Sequence, residues 1–585
     1  MDKGSVIPTF LSYQYNLIEM DLSGNKLVGS FPSWLIHPSM KYLDISNNNL
    51  SGLLPKNIGI FLPNVTTLNF SWNSFEGNIP SSVGKMKEIM YLDLSHNNSS
   101  GELPNQLATD CDCLRYLKLS NNFLSGNIPK FCNSVNMEAL FLDNNNFNGT
   151  LEDVLGNINT GLSMLHISNN SISGTIPSSI GMFSYMEVLF MGENLLEGEI
   201  PFEISNMSYL QVMDLSQNKL IGSIPTFSNM KSLRFLYLGR NDLSGSIPFG
   251  LCGSSQLKLL DLTDNKFSGK IPNWIDKLSK LRVLLLGGNK LEGDIPTQLC
   301  LLKGINIMDL SRNMFNASIP SCFQNLSFGR YDDSFGPIFE IFTPASSTTP
   351  NDDSLFNGSL NLDHISFSDV FFDDRLHLEV NFRTKHNNYF YQGNILEHMT
   401  GLDLSCNNLT GIIPSQIGDL KQIRALNLSH NYLLGPIPIT FSNLTQIESL
   451  DLSYNNLSGT IPYELVQMKF LAIFNVSYNN LSGTPPSTGQ FEDFDEENYR
   501  GNPSLCGPLL IRKCQGIASS QSNYNGEKET KVDIVSFYWS FTGSYITILL
   551  AFITVLCINK HWRMIWFYFI TKVIRRCFPT FPKLY

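Results

Sequence analysis

One pattern governs this chain: L-x-L-x-x-N-x-L-x-G-x-I-P. It stands as "YLDISNNNLSGLLP", "YLDLSHNNSSGELP", "LLDLTDNKFSGKIP", "GLDLSCNNLTGIIP" and "SLDLSYNNLSGTIP". Its asparagine falls at positions 25, 48, 73, 97, 122, 145, 170, 194, 218, 241, 265, 289 and 313, then at 407, 431, 455 and 479. Every interval is 23 to 25 residues except the 94 from Asn313 to Asn407. One unit this short cannot bury its own leucines, so the units must stack into a solenoid with a lengthwise core. The alternating L-x-L is a short strand with one buried face. The asparagine amide both donates and accepts, so it can satisfy backbone groups in the turn after the strand. Stacked repeats would then form an asparagine ladder. The glycine allows the next bend, and I-P is expected to open a second extended piece.

This frame resembles the plant-specific leucine-rich repeat over nearly the whole chain. The expected fold is an α/β-type solenoid, a leucine-rich-repeat superhelix with an insertion. Repeats are expected over 1–328, with the first begun mid-repeat, and four more over 397–484. A net charge of −11 argues against a general nucleic-acid binder. Eleven cysteines without C-x-x-C spacing argue against a zinc site. No phosphate loop, kinase catalytic loop, G-x-S-x-G elbow or H-E-x-x-H appears, so neither an enzyme nor a cofactor is expected.

The C-terminal quarter reads differently. Cys506 and Cys514 are close enough to staple a terminal cap over 485–515. A linker, 516–533, follows. Residues 534–558, "IVSFYWSFTGSYITILLAFITVLCI", carry no charge and are long enough to cross a bilayer as a helix. A basic tail, 559–585, follows, so the C-terminus is expected in the cytosol and the repeats outside. That tail is too short for a kinase. Ser540, Gly543, Ser544, Thr547 and Ala551 share one helical face, where a second helix can approach closely. The start of the chain shows no leader, so an N-terminally shortened relative is expected.

The cap motif stands as Gly501-Asn502-Pro503-Ser504-Leu505-Cys506-Gly507. With the repeats, span and short tail, it resembles plant leucine-rich-repeat receptor-like proteins rather than receptor kinases. The resemblance implies a single-pass plasma-membrane receptor. It would bind an extracellular peptide, protein or glycan and signal through a leucine-rich-repeat adaptor or co-receptor kinase, in defence or development. The alternatives are a decoy, a scaffold or inhibitor of microbial cell-wall enzymes, and an inactive truncated relative.

Binding residues are sought on the outward face of the strands. The residue between the two leucines is usually Asp or Asn, but the middle repeats place Lys118, Phe141, His166, Phe190, Tyr237 and Leu285 there. These are expected to be exposed and to contact ligand, with Arg240 beside them. Gly192, Gly239 and Gly287 replace the usual serine two residues on. The insertion, 329–396, begins with loop composition and ends in the strand-like "LHLEVNFRT" of 376–384. Lys385, Tyr389 and Tyr391 beside that strand are expected to join the binding surface. In the resembled family an island at this place contributes to ligand or co-receptor contact.

Glycans are expected on Asn64, Asn206, Asn325, Asn357 and Asn443, all in N-x-S/T. Asn97 is a ladder position, and Asn69, Asn427 and Asn475 lie within strands. Cys300 is expected to pair with Cys322, and Cys111 or Cys113 with Cys132. Cys252 and Cys406 have no obvious partner.

Overall fold

The computed structural model describes residues 16–514 apart from 36, 132–135, 156–160, 327, 329–378, 385–386, 509 and 511, with 7, 11, 13 and 14 before them. The expected span, 534–558, with its five small residues, lies outside that set. Among the described residues no helix is long and apolar enough to cross a membrane.

Seventeen three-residue strands form one parallel sheet, from Glu19–Asp21 to Ile473–Asn475. Each repeat contributes one strand, paired in register with the next. The central residue of each strand, leucine in thirteen and Met20, Met213, Met308 or Phe474 in the others, points into the core; Leu43, Leu189 and Leu450 are fully buried. On the opposite side, short strands such as Leu195–Glu199 form further parallel sheets of six, seven and five strands. These strands end before I-P. The proline instead stands at the start of a 3-10 turn, as Pro201 does before Phe202–Asn206. Its fixed φ and missing N–H suit that position, which is why the expected second extended piece falls earlier in the unit.

The asparagine ladder is continuous. Asn289 Nδ2 donates to Leu262 O at 2.9 Å and Leu286 O at 3.1 Å, while its Oδ1 accepts from Phe267 N at 3.0 Å. From Asn48 on, each asparagine thus ties its own turn to the preceding repeat. Asn502 of the cap repeats the arrangement, accepting from Leu481 N at 2.9 Å and donating to Val476 O at 2.9 Å. The cap therefore ends the ladder with an asparagine of its own.

The insertion leaves the array in register. Strand Ile307–Asp309 pairs directly with Gly401–Asp403, Asp309 opposite Asp403. Asn407 reaches across the gap, donating to Leu310 O at 3.0 Å and accepting from Phe315 N at 3.2 Å.

Cys300 is bonded to Cys322, and Cys506 to Cys514. Cys111 and Cys113 are both free, so neither makes the expected bridge; Cys132 lies outside the described residues. Cys111 is buried in the leucine core with its thiol directed to Val83 O at 3.7 Å, so it packs as a small apolar side chain.

Candidate functional site

The strands present two outward residues each, flanking the central residue. In the middle repeats these side chains build a second apolar cluster on the concave face. It includes Met164, Val188, Val212, Phe235, Leu259, Val283 and Ile307. Parallel strands stand about 4.8 Å apart, so large outward side chains in successive repeats close over one another. This corrects the expectation of exposed side chains. Lys118, Phe141, Phe190, Tyr237 and Leu285 are 1%, 4%, 7%, 7% and 1% exposed. Lys118 Nζ lies 5.5 Å from the Phe141 ring centroid. His166 is half-buried with its ring 3.1 Å from Asp143 Oδ1, and Arg240 is exposed.

The insertion supplies the cover at one end of this cluster. Strands Glu379–Thr384 and Asn387–Gln392 form an antiparallel hairpin, followed by helix Gly393–His398. Val380, Phe382, Leu396 and Met399 join the concave cluster. The Phe382 ring sits directly on the backbone of Gly401, where a Cβ would fall 2.3 Å from Cε1. Any larger residue at 401 would push the hairpin off the sheet. The helix end is tied down by Asn306 Nδ2 donating to Glu397 O at 3.1 Å.

The alternation of a strand then fixes what the hairpin offers. Val380 and Phe382 face the sheet; Glu379, Asn381 and Arg383 face a groove, together with Phe390. Tyr389 pairs with Phe382 and Tyr391 with Val380, so neither lines that groove. Tyr391 is half-buried and its hydroxyl meets Thr384 Oγ1 at 2.6 Å. Tyr389 is exposed. Phe390, not singled out from the sequence, takes the place in the groove expected for its neighbours. Lys385 lies outside the described residues.

The groove runs along the concave face from Trp72 to Ser405, with a volume of about 630 Å³. Its floor alternates in kind over Phe190, Asp214, Tyr237 and Asp261, and Asp309 follows beyond the buried Leu285. The glycines at 192, 239 and 287 follow from this. A Cβ on Gly192 would lie 2.9 Å from Asp214 Oδ2, and one on Gly287 2.7 Å from Asp309 Oδ2. Each glycine makes room for the next repeat's carboxylate.

These carboxylates are perturbed. Burial pushes Asp214 up to about 6, opposed by its hydrogen bonds from Ser216. Asp261 and Asp309 are raised for the same reason. Asp403 is pushed up to about 7, by burial first and then by Asp309 opposite it. Burial, then Asp214 and Asp261, hold the Tyr237 phenol well above its usual range.

A second row lines the groove's edge. The residue before each ladder asparagine has a positive φ, near +50 to +56° in fifteen non-glycine cases, with glycine at 24 and 288. This conformation turns successive side chains toward one another. Trp72 stacks on His96 at 3.7 Å, and His430, Tyr454 and Tyr478 stack at 4.2 and 4.4 Å. Arg240 and Arg312 belong to this row; Arg312 pairs with Asp264 at 2.9 Å.

Of the expected glycan acceptors, Asn64, Asn206, Asn325 and Asn443 are exposed, the last three each closing a 3-10 turn. Asn357 lies outside the described residues.

Comparison with known proteins agrees with this architecture. The Leucine Rich Repeat family matches nine segments, among them 16–37, 64–86, 256–278 and 446–468, and a second leucine-rich-repeat family matches 375–433. Cuscuta receptor 1 of Solanum lycopersicum is 58% identical over 221 residues, 37% of this chain and 20% of that protein. Receptor-like protein 15 of Arabidopsis thaliana is 48% identical over 269 residues, 44% of this chain and 28% of that protein. The chain thus spans about a quarter of the length of the curated relatives it matches. Among solved structures, the Arabidopsis receptor kinase HAESA in complex with the peptide hormone IDA and the co-receptor SERK1 aligns over 86% of this chain and 76% of that one, at 27% identity and a TM-score of 0.64. The peptide hormone receptor RGFR1 in complex with RGF2 aligns over 86% and 81%, at 25% identity and a TM-score of 0.64. The chain carries leucine-rich repeats and, over part of its length, is homologous to plant receptor-like proteins.

Proposed function

We propose that this chain is the ligand-binding part of a plant cell-surface receptor, anchored by the span at 534–558. The concave groove takes an extracellular peptide, and a partner receptor kinase with its own catalytic domain carries the signal inward. One observation carries this reading: a groove whose floor is the concave sheet and whose wall is the inserted hairpin, so that two separate parts of the chain meet around one space. The peptide complexes of HAESA and RGFR1 support a peptide in this place, and SERK1 in the first supports a co-receptor.

The test uses the full chain in plant membranes. Secreted peptide fractions are cross-linked to it, and co-purifying kinases are identified with and without the fraction. Ser216→Trp, which fills the groove from an outward position, should abolish cross-linking and ligand-dependent kinase recovery. Cross-linking that survives Ser216→Trp would show that the ligand sits elsewhere. Ligand capture with no kinase recovered would favour a decoy.

A further inference from the structure

We propose that the groove floor holds a subsite for one basic side chain of the ligand, formed by Asp214, Tyr237 and Asp261. The proposal rests on the groove being the ligand site and names the chemistry of one contact within it.

The strand register sets the geometry. Tyr237 pairs with Asp214 on one side and Asp261 on the other. Its strand is therefore flanked on each side, about 4.8 Å away along the sheet, by a strand that carries a carboxylate at the matching position. The Tyr237 hydroxyl is buried and has no hydrogen-bond partner. An orphaned buried hydroxyl is uncommon in folded proteins and calls for a partner. The Tyr237 side chain that carries this hydroxyl lines the groove.

The carboxylates are also incompletely used. Asp214 Oδ1 accepts the Ser216 amide at 2.8 Å. Asp261 Oδ1 accepts the Thr263 amide at 2.9 Å and hydroxyl at 2.7 Å. Each carboxylate has further lone pairs directed to the groove. Among the described residues neither forms an ion pair. Another acid in the groove does: Asp264 with Arg312 at 2.9 Å, while Asp143 has the His166 ring 3.1 Å away. Arg240, on the rim, partly offsets Asp261, whereas the charges acting on Asp214 are all acidic. The cation missing from this floor is one the ligand can bring.

The surroundings suit a long basic side chain. Phe190, which lines the groove, stands one strand before Asp214. It gives an apolar surface for a methylene stem. The Phe190 and Tyr237 rings on either side of Asp214 also favour a cation. Gly192 and Gly239 keep the space over both carboxylates open. A guanidinium, with five donors in a planar fork, can meet two carboxylates and a phenol together.

The experiment titrates the full chain with N-acetyl-arginine N-methylamide and with its neutral citrulline counterpart, read by saturation-transfer NMR. The arginine probe should bind at least tenfold tighter. Asp214→Asn should bring it to the citrulline level, and Tyr237→Phe should weaken it several-fold while leaving thermal unfolding unchanged. Equal binding of the two probes overturns the proposal, as does a preference that survives both substitutions. If Asp214→Asn fails to fold, its melting curve shows this and Tyr237→Phe decides. A preference that follows these residues, in a chain that captures no extracellular peptide, keeps the subsite and removes the receptor reading.

Discussion

Replacing Asp403 with asparagine should stabilise this protein in base and weaken it in acid. Asp403 is 2% exposed and lies opposite Asp309 where the array rejoins after the insertion. Its carboxyl titrates near 7 in the folded protein, against an ordinary 3.8. The folded state thus binds a proton more tightly than the unfolded chain does. Stability must fall as pH rises from about 4 to about 7 and be flat outside that window. A displacement of about 3 pH units corresponds to a ceiling of about 4 kcal/mol lost above pH 7. The amide introduced by Asp403→Asn carries no charge and recovers this. It forfeits the bond from Asn427 Nδ2, now 3.1 Å, because two amide donors then face each other; that costs about 1 kcal/mol. The net expectation is a gain of about 2–3 kcal/mol at pH 8 and a loss of about 1 kcal/mol at pH 4. Hydrogen exchange of the 401–427 amides in the full chain, at several pH values and corrected for intrinsic rates, measures this locally. A variant less stable at both extremes would show that the carboxylate is compensated where it stands, and the burial argument would fail.

Asn407→Ala should cost about 3–5 kcal/mol, since it strips partners from buried carbonyls and an amide at the rejoined junction; Asn25→Ala, whose side chain is exposed and serves only Leu22 and Ser23, should barely move the urea midpoint. Phe382→Ala should cost about 3–5 kcal/mol in hairpin seating, seen as faster exchange across 379–392 with the strands before 309 unchanged. Opening the cap by Cys506→Ser should weaken the last repeats by about 2.5 kcal/mol, from the closure entropy of an eight-residue separation. Chemical denaturation followed at Tyr499 would detect it.

Most of the repeat was legible because each unit spells out its own strand, ladder and bend; the second extended piece was placed too late, at I-P instead of before it. Even the ladder's last rung, Asn502, sits 23 residues after Asn479, inside a motif read only as a cap. The floor of the site was less so. Following one outward residue per strand found Phe190 and Tyr237 but missed Val188 and Phe235 two positions earlier, which bury them. The left-handed residue before each asparagine was visible in one sign: no Val, Ile or Thr stands there in any of the seventeen repeats. β-Branched side chains are strained in that conformation, so their absence was a readable constraint. What the hairpin covers was not legible, because it packs residues such as Phe382 and Leu396 into one cluster with Leu259 and Val283, which no local pattern relates.

The in-register junction has a consequence for how such a repeat array can change. Lengthening one interval from the usual 24 residues to 94 adds only about 1.2 kcal/mol of closure entropy, even for a fully flexible loop. Asp309, Asp403 and Asn407 meet as any two neighbouring repeats would. The frame is therefore indifferent to what is carried between them. New recognition surfaces can be exchanged there like cartridges, without retuning the pitch, while substitutions in the frame itself are felt along the whole stack.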